Sequence, residues 1–468
     1  MSPRIRIAII VLLTALVIIT GLVTVRRAHK NSNDFDTFYN AGRAVLQGEG
    51  LYYTGEYYEN TKNEGPFLYP PFAALVFVPI SILPMGLAAF LWNALNIALF
   101  LAALFFVLRI LNQTPAQLWS HFQKLAILDR LLLAVMSIAL LLDNLTMAQI
   151  NVLVFFLCVL TLWLERRGKP WIAGLILAAA VLIKLTPLIF CVYFLIKRRW
   201  RILAAAAAGF ALFTLLIPTL VFGPEQNRIY HRQWAGRTLK PSAIRFVAKF
   251  QPEETHPLKQ KAVMLEHNHL TGLLAEKNQS LQAGLMRLFL KDRVWHSYNP
   301  QPIYVAHRYE KLPVLFGGVP KSALPFVILL IQSGLGLYMV FLWLNSPPGA
   351  ENRHRTALEM ALAFFSMTLF PPLARSHQFV AWMFGFMCLA ALHDSGLAQS
   401  ARGGDNDRQF WLKAGFRLAV LAYCLQGLPY GKAAGAGMWA NLILWLTFAA
   451  QLKNFTPRTV HESRTTRH

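Results

Sequence analysis

The 468-residue sequence has little charge, and negative charge is the scarcest. Charged residues make up 14% of the chain against 56% hydrophobic residues, and 45 Lys and Arg outnumber 22 Asp and Glu. So few charges cannot cover the surface of a water-soluble protein of this length, and the composition predicts an integral membrane protein. The Lys and Arg residues lie mainly between apolar runs or in one long loop, so orientation in the membrane and contact with anionic lipid explain them better than nucleic-acid binding.

Cysteine is also scarce, and internal repeats and low-complexity tracts are absent. The four cysteines, Cys158, Cys191, Cys388 and Cys424, all fall inside apolar runs without CxxC spacing. We therefore predict neither a disulfide nor a zinc site. The lack of matching repeats argues against the inverted-repeat transporters.

Long apolar runs are what the sequence has instead. Runs of roughly 20 residues without charges are long enough to cross a bilayer as helices. The prediction is an all-α polytopic membrane protein, one integral membrane domain over 1–468, with about 11 to 13 transmembrane or re-entrant helices. The run from Ile7 to Val25 has no convincing small-residue cleavage site, so we expect a signal anchor that stays as the first helix. Further runs lie at 67–84, 87–109, 126–143, 146–164, 171–196, 200–222, 323–345, 357–373, 377–393, 410–427 and 434–452.

Basic clusters predict which helix ends face the cytoplasm. The stretches "ERRGK" (165–169), "IKRRWR" (196–201) and "NRHR" (352–355) are assigned to the inside by the positive-inside tendency. Both ends of the run 171–196 are then cytoplasmic. That run is therefore predicted to turn back on itself, with "KLTP" at 184–187 breaking it into two half-helices.

The same assignment predicts the regions outside the bilayer. Residues 26–66 are expected to form an extracytoplasmic loop with an interfacial helix, 223–322 a long extracytoplasmic loop, and 453–468 a cytoplasmic basic tail. The run 67–84 is interrupted by prolines and is predicted to be a re-entrant or shallow helix.

Two aspartates, Asp34 and Asp36, follow the first apolar run in "NSNDFDTFYNAGRAVLQGEGLY" (31–52). A capping or solvated role is ordinary at such a place. The functional alternative is a general base where membrane-bound and aqueous substrates meet. Apolar residues recur at helical spacing after the aspartates and Gly48 ends the pattern, so an amphipathic helix on the membrane surface is expected to hold them.

Other polar groups are predicted to lie on the same outer face. Lys184 interrupts an apolar run, where it either snorkels to the interface or neutralises the phosphate of a lipid carrier. Arg375 and His377, in "FPPLARSHQF" (370–379), either anchor the interface or bind phosphate and sugar oxygens. Gln149 and Asn151 either cap helices or line the same cavity.

Several stretches together resemble glycosyltransferase family 87, whose members use polyprenol-phosphate sugars. They are "DFDTFYNAGRAVLQGEGLY" (34–52), "YPPFAALVFVPISILP" (69–84), "AQINVLVFFL" (148–157), "KLTPLIFCVYFLIKRRWR" (184–201) and "NQSLQAGLMR" (278–287), in the family's order. The resemblance implies the C-type glycosyltransferase architecture, with Asp34 at the position of the catalytic carboxylate. We predict substrate contacts from its neighbours Asp36 and Tyr39.

The resemblance also implies a reaction. The expected enzyme moves a hexose, with mannose as the expected sugar, from a polyprenyl-phosphate sugar to a lipid or glycan acceptor, with inversion and without a metal or other cofactor. It is expected in the plasma (inner) membrane with its site facing outside, and with no nucleic-acid partner. A lipid or solute transporter or flippase, which would also need an intramembrane lysine and a polar cavity, and a scaffold without chemistry are the alternatives.

Overall fold

The structure is a computed structural model that describes most of the apolar part of the chain. The described residues are 3–28, 34–52, 67–238, 278–289, 318–320, 323–345, 353–392, 405–428, 431–432 and 434–453. The α-helices are α1 (Pro3–Ala28), α2 (Phe35–Gln47), α3 (Pro71–Ser81), α4 (Met85–Leu111), α5 (Pro115–Lys124), α6 (Ile127–Thr146), α7 (Asn151–Arg166), α8 (Pro170–Ile183), α9 (Leu188–Ile196), α10 (Trp200–Phe222, with a π-helical turn at Leu212–Leu216), α11 (Pro224–Thr238), α12 (Leu281–Phe289), α13 (Leu324–Leu344), α14 (Arg353–Leu369), α15 (Met383–Leu392), α16 (Asp405–Cys424) and α17 (Ala436–Lys453). Most of the predicted long loop and nearly all of the predicted basic tail lie outside the described residues.

Four of these helices have the length and apolar composition to cross a membrane: α1, α4, α10 and α13. A fifth candidate is α6 together with α7, where the helix axis bends by 120° between the two helices. Shorter apolar helices, among them α3 and α8, pack between them. These helices confirm the prediction of an all-α polytopic membrane protein.

The predicted break in the run 171–196 is present. Helix α8 ends at Ile183 and α9 begins at Leu188, with Lys184 in an extended conformation between them (φ −154°, ψ 130°). Pro187 lies directly before α9 and cannot continue a helical hydrogen-bond ladder. The half-helices of 14 and 9 residues are each too short for a hydrocarbon core about 30 Å thick, and Lys184 lies where they meet.

Helix α3 is likewise short. Its 11 residues span roughly 16 Å, with Pro71 in the first turn. Pro84 lies directly before the next helix, α4. The re-entrant or shallow position of this segment in the bilayer stays a prediction.

Helix α2 packs along α3 and confirms the helix expected after the first apolar run. The Phe38 and Phe77 rings stack with centroids 4.8 Å apart. Gly42 lies so close to Ser81 that a Cβ at that position would be 2.2 Å from the serine hydroxyl oxygen. The helix ends at Gly48, which has a left-handed φ of 69°, as the sequence predicts.

A buried charged cluster ties α9, α13 and α14 together. Glu359 is 2% exposed and pairs with Lys197 at 2.9 Å and with Arg355 at 3.4 Å. Tyr193 donates to the same carboxylate at 3.2 Å. Lys197 also donates to the Trp343 carbonyl in α13 at 2.8 Å. Because the carboxylate has several cationic and hydrogen-bond partners, its burial is compensated.

Candidate active site

The turn between α6 and α7 is the base on which the site is built. Ala148 has a left-handed φ of 48° in this turn. The carbonyls of Met147 and Ala148 accept hydrogen bonds from neighbouring segments. The Trp92 indole donates to the Ala148 carbonyl at 3.0 Å, and the main-chain N–H of Asp34 donates to the Met147 carbonyl at 3.2 Å. The chain that enters α2 is therefore fixed beside Gln149.

Asp34 directly precedes α2, but its carboxylate makes no capping hydrogen bond to that helix. Instead the Gln149 side-chain amide donates a hydrogen bond to Oδ2 of Asp34. The ordinary capping role is thus not the one that Asp34 has. A neutral donor holds the carboxylate in place without neutralising it.

A row of polar side chains continues from this contact. The Asn151 amide donates to Oε1 of Gln149 at 3.4 Å, and Nζ of Lys184 donates to Oδ1 of Asn151 at 2.5 Å. We call Asp34, Gln149, Asn151 and Lys184 the polar row. An anion stands at one end and a cation at the other, and the charge of Asp34 also acts directly on Lys184. Lys184 is therefore paired within the protein, as expected for a charge in an apolar environment.

Arg375 and His377, the other two residues predicted to bind phosphate or sugar, lie where α14 is linked to the following 3₁₀ helix. We call residues 370–375 the strap. His377 is buried, and its main-chain carbonyl accepts hydrogen bonds from the amides of Asn144 at 3.1 Å and Asn151 at 3.4 Å. The Arg375 side chain is exposed, and its charge acts on both Lys184 and His377. Residues from separate parts of the sequence thus meet at one place.

Tyr69 belongs to this site and was not among the predicted residues. The charges of Asp34 and Arg375 both act on its phenol. Burial raises the pKa of Tyr69 above its ordinary value, and the negative charge of Asp34 raises it further. The hydroxyl therefore stays protonated and available as a donor. Its main chain is fixed by the Tyr52 hydroxyl, which donates to the Tyr69 carbonyl at 2.5 Å.

Asp36 and Tyr39 face a different environment. Both are buried on α2, and the Tyr39 hydroxyl donates to the Leu83 carbonyl at 2.7 Å. The Tyr39 carbonyl accepts from the Ser81 hydroxyl at 2.9 Å. Tyr39 thus joins α2 to the last residue of α3 and to the link that follows it, and substrate contacts from Asp36 or Tyr39 stay predictions.

A small cavity lies behind the polar row. It measures about 10 Å³ and is bordered by Asn151, Lys184, Thr186 and Gln378. A space of that size holds one water molecule at most. In the described part of the chain, no three His, Cys, Asp or Glu side chains are grouped so that they could hold a metal ion.

Residues 67–372 match glycosyltransferase family 87. The chain belongs to this family. Gln149, Asn151 and Lys184 lie within the matched residues, whereas Asp34 lies well before them and Arg375 and His377 just after them. The assignment of the latter three to the site therefore depends on the geometry described above.

Curated relatives come from mycobacteria. The chain is 34% identical to a polyprenol-phosphate-mannose-dependent alpha-(1-2)-phosphatidylinositol mannoside mannosyltransferase of Mycobacterium tuberculosis over 39% of this chain and 44% of the relative. It is also 34% identical to the corresponding pentamannoside mannosyltransferase of Mycolicibacterium smegmatis, over 41% and 44%. An alpha-(1->3)-arabinofuranosyltransferase of M. tuberculosis is 30% identical over 38% and 39%.

The aligned stretches span less than half the length of these relatives. No solved structure matches the chain at a significant level.

Proposed function

We propose that the protein is a membrane glycosyltransferase that moves a hexose from a polyprenyl-phosphate sugar to a hydroxyl of a lipid or glycan acceptor. The observation that carries the proposal is the polar row. It holds a carboxylate, Asp34, beside the amide of Gln149 and ends at Lys184, on which the charge of the exposed Arg375 also acts. A general base and a cationic site for a leaving phosphate are the two things that this transfer requires.

In the proposed transfer, Asp34 accepts the proton of the acceptor hydroxyl. The oxygen of that hydroxyl forms a bond to the anomeric carbon of the sugar. The bond between that carbon and the phosphate oxygen breaks, and the electron pair leaves with the polyprenyl phosphate. Because attack occurs opposite the leaving group, the configuration at the anomeric carbon is inverted.

The cations have the complementary role. Lys184 and Arg375, with His377 as a hydrogen-bonding neighbour, stabilise the negative charge that grows on the departing phosphate. Arg375 is exposed and is therefore suited to bind the phosphate first. We propose that these residues suffice for the transfer without a divalent metal.

Mannose is the first donor sugar to test, and a phosphatidylinositol mannoside the first acceptor, because the names of the mycobacterial mannosyltransferases give both. Arabinose comes next, since an arabinofuranosyltransferase is also similar. We place the site on the extracytoplasmic face of the plasma membrane, because α7 begins at Asn151 in the polar row and ends at the basic Arg166.

The test is transfer of labelled mannose from polyprenyl-phosphate mannose by purified protein in nanodiscs. Replacing Asp34 by Asn keeps the shape and the contact to Gln149 but removes the base, so transfer is expected to fall at least a thousandfold with the melting temperature unchanged. Arg43→Gln, an exposed change on α2, is the matched control and is expected to remain active. Appreciable transfer by Asp34→Asn would remove Asp34 from the role of base.

Two further measurements test metal independence and the transporter alternative. Adding a chelator should leave transfer unchanged, and loss of activity restored by a divalent cation would contradict metal independence. Folded wild-type protein that transfers no sugar from any polyprenyl-phosphate donor, but moves lipid between leaflets, would favour the transporter alternative.

A further inference from the structure

Three consecutive polar residues, Asn278, Gln279 and Ser280, lie directly before α12 and are buried to within 1% of complete. Burial of so many hydrogen-bonding groups is costly unless each finds a partner. They occur in a stretch that carries no residue of the proposed chemistry. Their partners therefore indicate what they are for.

All three bind the main chain of the strap, Asn278 and Ser280 through their side chains and Gln279 through its main chain. The Asn278 amide donates to the Pro372 carbonyl at 2.9 Å, and its oxygen accepts from the Ala374 N–H at 3.0 Å. The Ser280 hydroxyl donates to the same Pro372 carbonyl at 2.9 Å. The main-chain N–H of Gln279 donates to the Ala374 carbonyl at 2.5 Å. The segment thus satisfies polar groups of the strap on both sides of Leu373.

The Gln279 side chain anchors this segment elsewhere. Its amide donates to the Lys432 carbonyl at 2.9 Å, and its oxygen accepts from the Gly437 N–H at 3.0 Å in the first turn of α17. The segment is therefore attached to α17 as well as to the strap. With Pro371 and Pro372 near its start, the strap cannot form a helical ladder and needs such external partners.

We propose that Asn278, Gln279 and Ser280 are positioning residues that hold the strap so that Arg375 and His377 face Lys184. The strap ends one residue before the 3₁₀ helix that contains His377. The His377 carbonyl is in turn held from the opposite side by Asn144 and Asn151. The chain is thus attached on both sides of Arg375, at Pro372 and Ala374 before it and at His377 after it. The exposed Arg375 side chain lies between these attachments. The functional part of this inference depends on the proposed function.

The same three residues also fit the acceptor pattern Asn-x-Ser for N-glycosylation. That interpretation does not fit the structure, because Asn278 has no exposed surface and both ends of its amide are bonded to the main chain. The contacts favour the positioning role.

The test compares Asn278→Asp with Asn227→Asp, a second buried amide whose side-chain contacts lie within α10. Asn278→Asp keeps the size of the side chain but loses the donor to Pro372. Hydrogen exchange of a peptide covering 370–377 is expected to speed up about tenfold in Asn278→Asp and to stay unchanged in Asn227→Asp. Unchanged exchange in Asn278→Asp would overturn the inference, whether or not the protein transfers sugar.

A double-mutant cycle tests the link to Arg375. Asn278→Asp alone is expected to raise KM for the polyprenyl-phosphate donor about tenfold while kcat changes little. In an Arg375→Gln background it should have almost no further effect, since the residue whose position it fixes is already gone. Multiplicative effects of the two changes would overturn the positioning role. Wild-type protein that binds and transfers no donor would contradict the proposed function instead, and the exchange measurement would still decide whether the segment holds the strap.

Discussion

The Gln149 side chain donates a hydrogen bond to the Asp34 carboxylate, and it is therefore a direct means of altering the proposed base. Replacing it by Glu puts a second carboxylate against Asp34, and two carboxylates at one place resist ionising together. We expect the acidic limb of the pH profile of kcat/KM to move up by about one unit or more, with kcat/KM recovering at higher pH. Gln149→Leu, which removes the donor without adding charge, should lower kcat without that shift. An unchanged profile in Gln149→Glu would mean that the ionisation of Asp34 does not limit the reaction.

Tyr69 offers a separate test, because its pKa is raised and its phenol does not titrate near neutral pH. Tyr69→Phe is expected to lower kcat/KM about tenfold, the usual order for one lost hydrogen bond to substrate, while the shape of the pH profile stays the same. The measurement is the full pH profile of both proteins. A lost basic limb in Tyr69→Phe would instead assign a proton transfer to the phenol.

Single residues of the site differ in how far the sequence predicts them. Lys184 stands out because a charge inside an apolar run is costly. Asp34 follows the end of an apolar run, where an aspartate is ordinary, and the family resemblance is what indicates it. The contact between Gln149 and Asp34 joins residues 115 positions apart, and no local pattern indicates it. Tyr69 is missed because an aromatic residue next to prolines is as typical of packing as of a site.

Helix α8 approaches α10 closely at Gly174, where a Cβ would lie 2.3 Å from the Ile202 carbonyl oxygen. Backbone cannot give way as a flexible side chain does, so Gly174→Ala is expected to destabilise the protein by about 1–3 kcal/mol. Gly334→Ala in α13 is the matched control, since nothing lies within 4 Å of the added Cβ. That change should be neutral or stabilise the helix by up to about 1 kcal/mol. Melting temperatures in detergent measure both, and equal values would contradict the close contact.

The elements themselves follow the apolar runs closely, because helix length and hydrophobicity are local properties. The break at 184–187 was predictable from one lysine and one proline. A break between α6 and α7 was also expected, since the runs 126–143 and 146–164 are separate, but its sharp bend was not, because the left-handed residue is Ala148, where a glycine or asparagine would have been the usual signal. That bend places Gln149 and Asn151 beside Asp34, so the site depends on a feature that only the fold reveals.

At the scale of the whole molecule, the buried Glu359 cluster joins α9, α13 and α14 away from the polar row. Glu359→Gln leaves Lys197 and Arg355 without their shared carboxylate, and a loss of about 3–5 kcal/mol in unfolding free energy is expected. Glu225→Gln breaks the pair with Arg228, in which the side chains are 66% and 57% exposed, and should cost about 1 kcal/mol or less. Thermal unfolding of the two variants side by side checks the difference. A Glu359→Gln protein as stable as wild type would mean that the cluster does not hold these helices together.

The orientation of the whole protein in the membrane stays a prediction, and α7 carries the argument for it, with Asn151 at its start and Arg166 at its end, roughly 24 Å away. The positive-inside tendency then predicts that Arg166 faces the cytoplasm and that the polar row faces outside. In a background without the four native cysteines, Glu49→Cys, just after α2, should react with a membrane-impermeant maleimide in intact cells. Lys169→Cys, between α7 and α8, should react only after permeabilisation. The reverse pattern would place the site in the cytoplasm, where the donor and the acceptor would have to be cytoplasmic lipids.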